Sequence, residues 1–262
     1  MSSTNPEAAR FAMSDVHGHM PAFVSILHRH GLAESAEHWT KQGSELWILG
    51  DYLDRGDEGL AVVDAVRTLQ RQARNLGGAV HPLLGNHELQ FLAAVHFGDR
   101  EISGDGETSF LANWQRYGGR DEERAAVSEE QVQWMTALPL LAISEGDLLM
   151  HSDTRAYLEL GSTVAEINEA GQAIMASRNS DEWAHLHWIM TQRGEFKSPE
   201  SRAEVLSALS AHRIVHGHTP LRTGFGLSGR SAARPFSYGD GKVLAIDGGV
   251  TEDDGHLILA EL

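Results

Sequence analysis

Short apolar runs, each broken by a polar cluster, recur along the chain, and the stretches between them switch from strand-like to helix-like spacing. Residues 10–13 predict a first short strand. Pro21 opens an amphipathic helix to about His30, with proline in the favoured first turn. Residues 45–49 form an apolar run closed by Gly50 and predict a buried strand. Residues 60–69 carry helical periodicity, residues 79–84 predict a third strand ended by Gly85, and residues 88–95 another helix. This βαβαβ order predicts a parallel sheet with right-handed crossovers.

Residues 98–124 break the rhythm. They are polar, rich in Gly, Asp and Arg, and contain Trp114 and Tyr117, so helices and loops forming a cap near a site are expected there. Residues 138–143 and 147–150 predict two strands joined by the turn Ser144-Glu145-Gly146. Residues 182–190 and 200–211 predict helices, with a strand at 213–215. The Gly- and Ser-rich residues 221–241 read as a long surface loop, and residues 242–246 and 256–260 as a closing pair of strands. With no internal repeat, low-complexity tract or linker, a single domain over residues 1–262 is expected, carrying a cap-like insertion around 98–133.

Composition narrows the class. A hydrophobic fraction of 41% and a charged fraction of 22% belong to a folded globular chain. No unbroken apolar run reaches bilayer length, and residues 1–7 lack the basic start and apolar stretch of a secretory signal. The absence of cysteine rules out disulfides and thiolate metal sites and makes a cytoplasmic location the expectation. A formal net charge of -16 repels nucleic-acid backbone and anionic membrane, so neither is an expected partner. The same charge would repel an anionic substrate, unless bound divalent metals reverse the sign locally. The sequence carries no signal of oligomeric state.

Five polar clusters supply candidate chemistry: Ser14-Asp15-Val16-His17-Gly18, Gly50-Asp51-Tyr52-Leu53-Asp54-Arg55-Gly56, Gly85-Asn86-His87-Glu88, His151-Ser152-Asp153 and Gly217-His218-Thr219-Pro220. Each follows a predicted strand. In an open α/β sheet the loops at the carboxyl ends of the strands converge on the ligand crevice, so these clusters should meet in space. Oxygen and imidazole ligands without sulfur suit Mn, Fe, Zn or Mg.

The clusters resemble the signature of the calcineurin-like metallophosphoesterases, and specifically of the phosphoprotein-phosphatase branch with its bacterial and phage lambda-like serine/threonine phosphatases. That branch is marked by Gly-Asp-x-His-Gly, Gly-Asp-x-x-Asp-Arg-Gly and Gly-Asn-His-Glu, followed by two later histidines. The match runs from His17 to Asp247; Ser14 stands where glycine is usual, and a hydrogen bond from it to Asp15 is expected. The resemblance implies a two-sheet β-sandwich flanked by helices (α/β/β/α). It implies that Asp15, His17 and Asp51 hold one metal, and that Asp51 bridges to a second completed by Asn86, His151 and His218. It further implies in-line attack by a metal-bridging hydroxide, His87 as general acid oriented by Asp54, and Arg55 and Arg193 gripping the phosphate. Two divalent metal ions, manganese first, are the implied cofactors, and the substrate is a phosphorylated protein or small molecule.

Three substrate classes share these motifs: phosphoprotein, with phosphoserine or phosphothreonine first and phosphotyrosine as a further option, a symmetrical dinucleoside tetraphosphate, and a small phosphorylated metabolite. A dinucleotide would need stacking faces and further clamps, for which Trp114, Arg116, Tyr117 and Arg120 are candidates. A catalytically inactive binding module is the alternative of another class, and hydrolysis of p-nitrophenyl phosphate separates it. Other features take plainer readings. His216 is expected to be a packed strand residue, His28, His30, His185, His187 and His212 surface or groove residues, and Asp121-Glu122-Glu123 a solvated helix start.

Overall fold

The computed structural model describes residues 9–102 and 108–262. The N-terminal stretch read above for a signal, and residues 103–107 of the expected cap, lie outside the described residues.

The first third runs β1 (Arg10–Met13), α1 (Met20–Arg29), β2 (Ala33–Ser35), β3 (His38–Trp39), β4 (Glu45–Ile48), α2 (Gly59–Asn75), β5 (Ala79–Pro82) and α3 (Asn86–Phe97). The middle holds α4 (Phe110–Arg116), α5 (Asp121–Ala126), α6 (Glu129–Thr136), β6 (Leu141–Ser144), β7 (Asp147–Met150), α7 (Val164–Ala176), α8 (Ser180–Thr191) and α9 (Pro199–Ala208). The chain ends with β8 (Arg213–His216), α10 (Leu221–Phe225), β9 (Phe236–Tyr238), β10 (Val243–Ala245) and β11 (Ala260–Glu261).

One sheet has the order β11-β1-β4-β5 and the other β6-β7-β8-β10-β9, with β2 and β3 as a separate hairpin. β1, β4 and β5 are parallel, as the βαβαβ pattern predicts. Strand alternation sorts side chains between two apolar layers. Ala12, Trp47, Leu149, Val215 and Ala260 point between the sheets and form one cluster. Their neighbours Phe11, Met13, Leu46, Ile48, Leu148, Met150 and Ile214 join a larger cluster with helix residues such as Phe23, Leu27, Val62 and Leu186. The result is the expected sandwich with helices outside. Among the described residues no helix is long and apolar enough to cross a membrane.

The ends of the strands differ in chemistry. At their N-terminal ends Asp147 accepts from Arg10 Nη2 at 2.8 Å and from Arg213 Nε and Nη2 at 2.7 Å each, joining the first residues of β1, β7 and β8 across the two sheets. The C-terminal ends carry the polar loops.

Three sequence expectations change. Residues 242–246 and 256–260 are not partners: β10 lies parallel to β8, whereas β11 closes the other sheet against β1. The stretch expected as a loop at 221–241 contains α10 and β9. β9 pairs with β10 across Gly239, Asp240 and Gly241, all at positive φ, so the glycines serve a tight turn. Helix α7 and the β2–β3 hairpin have no counterpart in the predicted elements.

Candidate metal centre

The loop after β1 delivers Asp15 and His17, that after β4 Asp51, and that after β5 Asn86; β7 and β8 of the other sheet deliver His151 and His218. All six side chains are buried, and they gather around one hollow. The sheets are stitched together there. His151 Nδ1 donates to the Leu49 carbonyl at 2.7 Å, and the His218 N–H donates to Asp15 Oδ2 at 2.9 Å. Ser14 Oγ also donates to Asp15 Oδ2, the bond expected where serine replaces glycine.

These loops turn in a costly way. Ten described non-glycine residues have positive φ, and six of them are Asp15, His17, Asp51, Asp54, Arg55 and His218. Left-handed backbone at a non-glycine residue costs of order 1–3 kcal/mol and persists only where surrounding contacts enforce it. The concentration of such residues in one hollow marks a functional site.

Asp51 is central. Its Oδ2 lies 3.6 Å from His17 Nε2, and its Oδ1 lies 3.4 Å from His151 Nε2. Ligand atoms of His17, Asp51 and His87 lie within 4.8 Å of one another, and so do those of Asp51, His151 and His218. One carboxylate thus faces two imidazole groups on opposite sides. Asn86 Oδ1 is 2.8 Å from His151 Nε2, and Asp15 Oδ1 is 3.8 Å from His17 Nε2.

The donors suit divalent cations. His17 Nδ1 donates to the Leu53 carbonyl at 2.9 Å, and His151 is fixed likewise, so each presents Nε2 to the hollow. Burial, reinforced by neighbouring positive charge, holds His17 and His218 well below the usual imidazole range, so both are neutral as ligands must be. Burial raises Asp15 and pushes Asp247 well up, and Asp51 adds to both shifts. Burial would raise Asp51 too, but the charges of His151, His87 and His17 and the hydrogen bond from His151 together outweigh it and hold that carboxyl well below the ordinary value. Burial works against a charge on His151, yet Asp51 overrides it and lifts this imidazole to about 9. Crowded carboxylates offset by one imidazolium form an anionic nest that cations would complete.

The expected catalytic residues sit beside it. His87 Nδ1 donates to Asp54 Oδ2 at 2.7 Å, with both side chains buried. Arg55 spans the hollow, donating through Nη1 to His17 Nε2 at 3.1 Å and through Nη2 to His87 Nε2 at 3.0 Å. Arg193 Nη2 lies 3.0 Å from His218 Nε2, which also lies 3.3 Å from the Thr191 carbonyl. Arginine can only donate and a carbonyl can only accept, so the two contacts require opposite tautomers. A proton on Nε2, given to Thr191, leaves Nδ1 as the ligand nitrogen. All ten residues singled out from the sequence therefore lie together.

Sequence reading missed others. Glu88 is fully buried and accepts from the N–H groups of Asp51, Tyr52, Leu53 and Gly85 at 2.8, 2.7, 3.2 and 3.0 Å, bracing the loop that carries Asp51. Its place closing Gly-Asn-His-Glu was the available signal. Asp153 accepts from Thr219 Oγ1 at 2.5 Å and from Gly194 N at 2.7 Å, bracing the residues beside His218 and Arg193. Trp114 is buried and donates from Nε1 to Asp54 Oδ1 at 2.7 Å. Glu123, expected in solvent, is buried against Gly59 at the start of α2. His216 is the packed strand residue expected, with Nε2 3.0 Å from the Tyr238 hydroxyl.

A cavity of about 380 Å³ adjoins the hollow. Its walls continue from the site residues: Leu89 and Gln90 follow His87 on α3, Thr191 contacts His218, and Tyr117 precedes Gly118, whose carbonyl accepts from Arg55 N at 3.0 Å. Tyr117 and Trp188 are its exposed aromatic residues.

Residues 11–222 match the profile of the calcineurin-like phosphoesterases. The chain belongs to that family. It is a hydrolase of phosphate esters in the phosphoprotein-phosphatase branch, and the family works at a dinuclear centre of divalent metals. It is 26% identical over 263 residues to an uncharacterised protein of Schizosaccharomyces pombe, covering 92% of this chain and 72% of the other. A symmetrical bis(5'-nucleosyl)-tetraphosphatase of Acidovorax sp. (strain JS42) is 27% identical over 237 residues, covering 81% and 75%. In fold the chain is similar to the crystal structure of a cold-active protein-tyrosine phosphatase of a psychrophilic Shewanella sp., with a TM-score of 0.71, 23% identity and coverage of 96% and 75%.

Proposed function

We propose that Asp15, His17 and Asp51 hold one divalent cation and Asp51, Asn86, His151 and His218 a second, both manganese. The enzyme is then a serine/threonine-type protein phosphatase hydrolysing phosphate monoesters. The observation that carries this reading is the position of Asp51, one oxygen toward His17 and the other toward His151. Two cations held close together need a shared anionic ligand to offset their repulsion. When bound, they supply positive charge at the phosphoryl group and an activated water.

The protein's own groups do the rest. Arg55 and Arg193 reach imidazole nitrogens from the open side of the hollow, and an arriving phosphate would draw both guanidinium groups onto its non-bridging oxygens. That movement frees His87 Nε2 from Arg55. The freed Nε2 takes up a proton from solvent, and the imidazolium, with Nδ1–H still directed at the Asp54 carboxylate, gives that proton from Nε2 to the leaving oxygen and returns to the neutral ring. The cavity beside the centre takes the organic part of the substrate. A single domain over 1–262, with the insertion around 98–133 as a cap, and a cytoplasmic location complete this reading.

A second reading, a symmetrical dinucleoside tetraphosphatase, is favoured by the Acidovorax relative and by the exposed rings of Tyr117 and Trp188 at the cavity. Against it, Trp114 is committed to Asp54, and Arg120 pairs with Asp57. Manganese-loaded protein, assayed on phosphoserine and phosphotyrosine peptides, diadenosine tetraphosphate and sugar phosphates, tests both. Preferred turnover of the phosphoserine peptide is expected. Preference for the dinucleotide selects the second reading, and failure to hydrolyse even p-nitrophenyl phosphate leaves the inactive binding module.

A further inference from the structure

We propose that Trp114 is a positioning residue for the general-acid dyad, its indole N–H fixing the Asp54 carboxylate that in turn aims His87. This rests on the role of His87 proposed above.

Asp54 has two carboxylate oxygens, each with one side-chain donor. Oδ2 faces His87 Nδ1 at 2.7 Å, and Oδ1 faces Trp114 Nε1 at 2.7 Å. The terminal torsion of an aspartate is broad and roughly two-fold, so one donor alone leaves the carboxylate free to rock about that contact. A second donor on the opposite oxygen removes this freedom and sets the plane in which His87 is held.

The indole is itself immobilised. It is completely buried and meets Phe91 of α3 edge to face, with ring centroids 5.5 Å apart. Gly119 lies directly against the ring, where a Cβ would overlap it. The same short turn reaches the phosphate clamp. The Gly118 carbonyl accepts from Arg55 N at 3.0 Å, and a Cβ on Gly118 would come within 2.8 Å of Arg55 Cγ. Residues 114–119 thus bear on two of the groups that act on the substrate. Any buried indole N–H calls for an acceptor; here the acceptor is the carboxylate that holds His87, 60 positions earlier in the chain.

The experiment compares wild type, Trp114→Phe, and protein in which the Trp114 indole is replaced by benzothiophene, which keeps the shape and removes the N–H. The benzothiophene protein decides the matter if Trp114→Phe fails to fold. Phenyl phosphate, with a poor leaving group, and p-nitrophenyl phosphate, with a good one, are the substrates. Loss of the donor should lower kcat on phenyl phosphate about tenfold or more while changing p-nitrophenyl phosphate less than about threefold, with KM unchanged on both. In an Asp54→Asn background the same replacement should have no further effect. Equal losses on both substrates, or a loss that multiplies with Asp54→Asn, overturn the proposal. The His87 Nδ1–H resonance of metal-free protein provides a reading independent of turnover. Its displacement in the benzothiophene protein supports the role of Trp114 even if His87 proves not to be the acid, and an unmoved resonance overturns it.

Discussion

Asp54 and His87 share a 2.7 Å hydrogen bond in a place closed to solvent, 33 residues apart in sequence yet fixed on adjacent loops of one sheet. His87 sits in the first turn of α3, and its own N–H donates to Asp51 Oδ1 at 3.0 Å, so its backbone braces the central carboxylate, and the proposed function gives its ring the separate role of general acid. This division predicts the behaviour of His87→Asn. The variant should retain bound metal, measured by elemental analysis, while kcat on phenyl phosphate falls about 10²–10⁴-fold. Loss of metal would move His87 into the ligand set.

Asp51→Asn should behave in the opposite way. An amide keeps the shape but loses the charge that sits between His17 and His151. Bound metal and activity should disappear together, with activity down by at least about 10³-fold, and added manganese should not restore wild-type turnover.

Metal binding should release a proton. His151 is lifted to about 9 by Asp51, whereas His17 and His218 are already neutral near pH 7. A ligand must be deprotonated, so manganese has to displace a proton from His151 at any pH below about 9. Apparent affinity should rise about tenfold per pH unit up to that point and then level off. Calorimetry in buffers of different ionisation enthalpy measures the proton directly. The sign reverses for metal-free protein. A folded pKa above the unfolded value gives stability that is complete below pH 6.5 and is lost as pH rises through about 9.

Asp153→Ala should damage substrate binding more than chemistry. The carboxylate holds Gly194 N and the Thr219 hydroxyl, the neighbours of Arg193 and His218. Freed of that anchor, Arg193 would have to be ordered by the substrate itself. KM should rise about tenfold with a smaller change in kcat, separable by steady-state kinetics on p-nitrophenyl phosphate.

Asp147→Ala tests the far end of the sandwich. It strands Arg213, leaves the mostly buried Arg10 with Glu145 as its remaining carboxylate, and should cost about 2 kcal/mol in urea unfolding of metal-free protein. Activity per folded molecule should be unchanged, since the network lies at the strand ends away from the metals.

Nine of the ten candidate site residues were legible in the sequence because each lies in a short cluster after a strand, where local pattern carries the information; Arg193, which follows α8, rested on the resemblance alone. Strands β1, β4 and β5 were equally plain, since a run such as residues 45–49 needs no partner to be recognised. Partnerships were not legible. Whether residues 256–260 pair with β10 or with β1 depends on which sheet each strand enters, and nothing within the five residues records that choice. Trp114 and Asp54 have the same difficulty: each side chain is ordinary until the fold brings them together. Glu123 looked like a charged helix start because only the contact with Gly59 shows which side of α5 is closed.

Ser14 and Gly217 face each other where the two sheets meet, and a Cβ at position 217 would overlap the serine hydroxyl. The side chain tolerated at one position is therefore conditional on its absence at the other. Related proteins that carry a substituent at the position of Gly217 should have glycine at that of Ser14, and Gly217→Ala alone should push the His218 loop off the Asp15 loop. The seam between the layers, rather than either layer by itself, sets how far apart the two halves of the ligand set stand.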